Sequence, residues 1–177
     1  MKWISIVVVC ALTACGTSNP QPKTAATSVA APHASLTSYR TFSFGLSDPP
    51  KSGYEVTPRS LDVQRRLRSV VLRALQQRGY TASDVQGDMV VKLAAGTGAE
   101  VLNGAANGAE RTTPSGSVSG YIGINIYDGL SGNEVWQGSA FAEIDPATID
   151  DSLLALGVAH MLKDFPVRDV NRVATAY

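Results

Sequence analysis

The chain has 177 residues, 44% of them hydrophobic, which is enough for the core of one domain. Lys+Arg and Asp+Glu each total 15, so no net field draws the protein to nucleic acid. Charged residues make up 17%, below the roughly 25% of ordinary soluble domains, and two cysteines exclude a disulfide-stapled miniprotein or a Cys-rich zinc module.

Met1 and Lys2 open the chain, and residues 3–12 follow with Ser5 as their single polar member. A bilayer-spanning helix needs about 20 apolar residues. The shorter run suits the apolar region of a secretory signal peptide, expected over residues 1–14. It ends in Leu12-Thr13-Ala14-Cys15, which resembles a bacterial lipobox. That resemblance implies recognition through Leu12, Thr13 and Ala14 and acylation of Cys15. Gly16, where an aspartate would signal inner-membrane retention, favours the outer membrane, with the domain facing the periplasm. Cys10 leaves with the leader, so no thiol nucleophile or thiolate metal site is expected in the mature chain.

Residues 15–36 hold three prolines, one lysine and no acid, with too little apolar surface to offset ordering, and are expected to form a flexible tether. Residues 39–44 read as a strand with Phe42 and Phe44 on one face, and residues 47–58 as a proline-rich loop. Thr57 is a candidate N-cap with Pro58 at the first helical position. Leu67, Val70, Val71, Ala74 and Leu75 mark a 3.6-residue stripe that Gly79 ends. Met89, Val91 and Leu93 alternate in a second strand over 88–94, and the Gly-rich residues 96–120 are expected to be a mobile excursion that extends the strand ends.

Residues 121–128 and 135–144 form a hairpin around turn residues 129–133. With Tyr127 opposite Val135, Ile126 meets Trp136, Ile124 meets Gly138 and Ile122 meets Ala140, large against small. The other face then carries Tyr121, Asn125, Tyr127, Gln137, Ser139, Phe141 and Glu143. Asp145 and Pro146 begin a last helix with Leu154, Val158, Met161, Leu162 and Phe165 inside, which Pro166 ends; residues 167–177 are expected as a loose tail. The order β-α-β-β-β-α predicts one α+β domain over residues 37–166, a small antiparallel or mixed sheet packed on two helices.

Several of these pieces, in this order, resemble the bacterial lipoprotein family of domain of unknown function 4136. They are Tyr39-Arg40-Thr41-Phe42-Ser43-Phe44, Leu75-Gln76-Gln77-Arg78-Gly79-Tyr80, Asp88-Met89-Val90-Val91, the pair Ile126-Tyr127-Asp128 and Val135-Trp136-Gln137-Gly138, and Phe165-Pro166. The resemblance spans about residues 37–166. The chain departs from the family pattern at Phe44, where Trp is frequent, and at Gln137, where a basic residue is frequent. The family implies the fold and no established activity.

No catalytic constellation emerges. His33 sits in the tether and His160 in the last helix, without partners in sequence. Gly96-Thr97-Gly98 lacks the third glycine and following helix of a dinucleotide fingerprint. Asp128, Ser131, Asn133 and Glu134 lack calcium-loop spacing and suit a turn. Asp145, Asp150 and Asp151 suit helix capping. One charge asymmetry stands out: residues 57–80 carry six arginines against Asp62, and residues 128–169 carry eight acids against Lys163 and Arg168. The two surfaces either attract one another or leave Arg65, Arg66, Arg68 and Arg73 to meet an anionic surface.

The sequence therefore predicts a non-catalytic domain without cofactor or metal, held at the membrane by its lipid. It would bind another envelope protein or a cell-wall component through the Tyr121, Asn125, Tyr127, Gln137 and Phe141 face or through the arginines. The alternative expectation is a module that contacts peptidoglycan or lipid headgroups directly.

Overall fold

A computed structural model describes residues 24–98, 118–144 and 151–168. Seven strands form one mixed sheet: β1 (Thr24–Ala30), β2 (Thr41–Phe44), β3 (Tyr54–Glu55), β4 (Thr81–Ala82), β5 (Met89–Gly98), β6 (Val118–Asp128) and β7 (Glu134–Ile144). Their spatial order is β1-β7-β6-β5-β2-β4, with β3 beside the far end of β5. Helices α1 (Pro58–Gln77) and α2 (Asp151–Met161) cover one face. The α+β class and two-helix layer match the expectation; the sheet is larger than the small one expected.

Helix α1 begins and ends where its sequence dictates. The Thr57 hydroxyl accepts from Ser60 N–H at 3.1 Å, and the Ser60 hydroxyl oxygen accepts from Thr57 N–H at 2.7 Å, a reciprocal cap ahead of Pro58. At the other end Gly79 takes φ +85°, Gly79 N–H reaches Gln76 O and Tyr80 N–H reaches Leu75 O. This is the double-bonded glycine stop that an L side chain would strain. Between them Val63, Leu67, Val70, Val71 and Leu75 are buried. Strands β2 and β5 run parallel, and α1 supplies the crossover that parallel neighbours need.

The hairpin register follows the alternation: Ile126 opposes Trp136, Ile124 opposes Gly138 and Ile122 opposes Ala140. One correction applies at its turn end. A bulge between Ile126 and Tyr127 places Tyr127 opposite Glu134 rather than Val135. Trp136 folds over Gly138, where an added Cβ would collide with its ring and lie 3.2 Å from Met161 Cβ.

Three of the family-like residues, Tyr80, Trp136 and Phe165, gather in the core. Tyr80 packs on Phe165 at 5.5 Å with the rings tilted by 52°, Phe165 meets Trp136 edge-on at 5.4 Å, and the Tyr80 hydroxyl donates to Pro166 O at 3.2 Å. Leu154, Val158, Met161 and Leu162 are buried as the last helix predicted. Asp145, Pro146 and Asp150 lie outside the described residues, so the N-terminal cap of α2 does too.

Residues 24–30, read as tether, instead form an edge strand paired antiparallel with β7 from Thr24↔Ala142 to Ala30↔Trp136. Their own alternation is weak; β7 supplies the ladder. Residues 96–98 and 118–120, read as part of the excursion, complete β5 and β6, and residues 99–117 lie outside the described residues. Arg168 is docked rather than loose, its N–H on Arg78 O at 2.8 Å and its Nη1 on Gly79 O at 3.2 Å.

Candidate functional site

The outer sheet face is where the sequence placed its binding residues, and the loop between β2 and β3 covers much of it. Tyr54 lies on this face 5.3 Å from the Tyr121 ring and 5.8 Å from Phe141, and its hydroxyl shares a hydrogen bond with Ser119 Oγ at 3.1 Å. Tyr121 is consequently 5% exposed. It packs against other rings and offers no stacking surface to a ligand. Lys51 Nζ stands 5.5 Å over the half-buried Phe141 ring.

Asp48 pins the same loop from its other side. Its Oδ2 accepts from Asn125 Nδ2 at 2.8 Å and from the Tyr127 hydroxyl at 2.9 Å, and Lys92 Nζ lies 3.7 Å from Oδ1. Burial and this carboxylate push the Tyr127 phenol up to about 12. Asn125 Oδ1 is buried with no hydrogen-bond partner in the structure. Of the five predicted face residues, Gln137 alone is exposed; Asn125, Tyr127 and Phe141 are half-buried and Tyr121 is buried.

Between the loop and strands β1, β7 and β6 a hollow of about 330 Å³ remains. It is lined by Thr27, Gln137, Ser139 and Asn125 together with Tyr121, Pro49 and Lys51. Thr27 Oγ1 and Ser139 Oγ share a hydrogen bond at 3.1 Å. Sequence reasoning missed Asp48, Lys51, Tyr54 and Thr27, because all four sit in segments read as loop or tether. The aromatic Tyr54 inside a proline-rich loop was the one signal that the loop packs down.

A smaller cavity of about 50 Å³ lies among Val63, Ala95, Ile122, Ala140, Leu154 and Gly157. Its wall is apolar, with Arg59, Ser60 and Thr97 among its polar lining groups, so it is a gap in the core with little to orient a ligand.

The four arginines do not converge. Arg65 pairs with Asp62 at 2.8 Å, Arg66 with Asp151 at 2.8 Å, and the Arg68 guanidinium lies 4.2 Å over the Phe44 ring. Arg73 is exposed and has no ion pair among the described residues. At helical spacing Arg66 and Arg73 share one shoulder of α1, and Arg65 and Arg68 the other. The Arg66–Asp151 pair is the expected attraction between the basic and acidic segments.

Asp128 is a turn-former. Its Oδ1 accepts from Leu130 and Ser131 N–H, and its Oδ2 accepts from the Tyr39 hydroxyl at 2.8 Å. These bonds, led by Ser131 N–H, hold its carboxyl at about 2. Asp88 likewise accepts Thr41 N–H and Arg40 N–H on Oδ2, which lowers its pKa, Thr41 N–H most. His160 is exposed on α2. Among the described residues no group of His, Cys, Asp and Glu is arranged to hold a metal, and no helix is long and apolar enough to cross a membrane. Leu12, Thr13, Ala14 and Cys15 lie outside the described residues.

Fold and face together define a two-layer α+β domain with a partly covered sheet, built on family-like residues that serve the core. The chain belongs to the family described as Domain of unknown function (DUF4136), whose model matches residues 27–167. Comparison with curated proteins gives no match. Among solved structures, a PDZ domain protein from Parabacteroides distasonis is similar with a TM-score of 0.59 at 14% identity, over 84% of this chain. The chain spans 37% of that protein's length. The PelC dodecamer from Paraburkholderia phytofirmans is similar with a TM-score of 0.52 at 12% identity, over 83% of this chain and 100% of that one. A DUF4136 family protein from Bacteroides thetaiotaomicron has a TM-score of 0.47 at 10% identity, over 80% of this chain and 95% of that one. At these identities the likeness concerns the fold.

Proposed function

We propose that this chain is a lipid-anchored accessory protein of the bacterial outer membrane whose periplasmic domain binds another envelope component without catalysing a reaction. Cys15 in its lipobox-like setting supports the anchor. The hollow of about 330 Å³ beside Gln137 carries the binding reading: it keeps hydroxyl, amide and ammonium groups open to solvent after the loop has covered Tyr121. Its groups orient a partner by hydrogen bonding. The same mixture of hydroxyl and amide groups at Thr27, Ser139 and Gln137 favours a second reading, direct contact with cell-wall glycan through hydrogen bonds to its hydroxyls.

A photo-crosslinking residue at Gln137 of the full chain, expressed in cells, tests both, with Ser69 on the exposed side of α1 as control. Adducts with one envelope protein from position 137, absent from position 69 and lost in Cys15→Ala, support an anchored adaptor. Co-sedimentation with purified peptidoglycan that weakens in Gln137→Ala supports the glycan reading. Identical adduct patterns from both positions, with no peptidoglycan binding, would remove the outer face as a site.

A further inference from the structure

Strand β1 ends the sheet with one edge unpaired among the described residues. The hydrogen bond from Ala31 N–H to Val135 O fixes which backbone groups it spends on β7. In an antiparallel ladder the bonded residues alternate, so Ala25, Thr27 and Val29 bond β7, and Thr24, Ala26, Ser28 and Ala30 turn their N–H and C=O outward. Exposed edges are usually blunted by charge, proline or a bulge. The seven residues Thr-Ala-Ala-Thr-Ser-Val-Ala carry no charge and no proline, and pair with β7 without a register shift.

We infer that β1 pairs with β1 of a second copy across a two-fold axis, joining two sheets into one. The other end of the sheet, β4, offers two residues, too few for a head-to-tail ladder. A strand without charge meets no repulsion from itself. Outward groups pair only with outward groups, and full overlap of the seven residues then sets the register: Thr24 bonds Ala30 of the second copy, Ala26 bonds its Ser28, and Thr27 faces Thr27 as the non-bonded pair on the axis.

The helix layer fits this arrangement. Helix α2 packs on both β1 and β7, so its axis lies about 5 Å inside the two-fold, given strand spacing of about 4.8 Å. Two such helices come about 10 Å apart and antiparallel, within helix-packing distance. The exposed side of α2 carries the small residues Ala155 and Ala159 and Leu156, which is 39% exposed. The two outer-face hollows then adjoin across the axis, since Thr27 and Val29 line each.

The test uses the full chain with Cys10→Ser and Cys15→Ser, so that an added cysteine is the single thiol. Sedimentation over a concentration series should show a mass of two copies. Thr27→Cys should form a disulfide-linked dimer under mild oxidation, because non-bonded antiparallel pairs hold Cα atoms about 4.5 Å apart. Ser28→Cys, which faces Ala26 of the second copy, should not. Ala26→Pro removes an outward N–H without touching the β7 ladder and should leave a folded monomer. A monomer at every concentration, or equal crosslinking at positions 27 and 28, would overturn the proposal; the cysteine contrast stands even if the proline variant does not fold.

Discussion

The Tyr127 hydroxyl donates to Asp48 Oδ2 at 2.9 Å across 79 residues of chain, and through this bond a proline-rich loop becomes part of a sheet face. Asn125 shares the same oxygen, so one carboxylate holds two side chains of β6. Removing it takes away both side-chain bonds and leaves Lys92 without its counter-charge, while Gly45 N–H and Asp48 N–H still bond Val91 O and Leu93 O of β5. Asp48→Ala should cost about 1.5–3 kcal/mol, as for hydrogen bonds to a charged group. Urea unfolding checks the loss; a midpoint equal to wild type would mean the carboxylate's bonds contribute no net stability.

Gly138 leaves the space that Trp136 occupies. Gly138→Val puts a branched side chain against that ring and against Met161, and overpacking of this kind costs about 1–3 kcal/mol. Thermal unfolding should show the drop, with loss of the near-ultraviolet tryptophan signal if Trp136 is displaced.

On helix α1, Leu67 is fully buried and Leu61 is 50% exposed. Leu67→Ala should cost about 2–5 kcal/mol, and Leu61→Ala about 0.5 kcal/mol or less. Thr57→Ala, which removes the cap acceptor, should fall between them at about 1 kcal/mol. Equal losses at positions 61 and 67 in denaturant titrations would mean the helix presents a different face.

Asp128, held mainly by Ser131 N–H, and the half-buried Tyr39 that bonds it give stability an acid and an alkaline limit. Asp128 is held at about 2, below its ordinary 3.8, so its contribution is full above about pH 4 and is lost as pH falls toward 2. Burial, then the bond to Asp128, raises Tyr39 to about 12 from 10.0. Its contribution is therefore full below about pH 10 and lost as pH rises toward 12. Melting temperature against pH should fall in both windows, and Asp128→Asn should flatten the acid limb.

Where pattern and partner are close in the chain, the residues alone were enough. The cap at Thr57, the stop at Gly79 and the pairing of Ile126 with Trp136 each follow from chemistry within about a dozen residues. A slip of one residue in that hairpin would send every isoleucine to the wrong face, so its alternation carried the register through the bulge at Tyr127. The family pattern was legible for the same reason: Tyr80, Trp136 and Phe165 are core residues whose order the fold demands.

The outer face was another matter. Residues 24–30 have almost no apolar alternation, and they are a strand because β7, more than a hundred residues away in the chain, presents an open ladder at Thr27↔Ser139. Tyr54 buries Tyr121 for a similarly distant reason. Hydrophobic periodicity tells which side of an element turns inward, since that depends on the element's own residues. Whether the other side stays open depends on which remote segment settles there, and that is set by packing across the folded molecule.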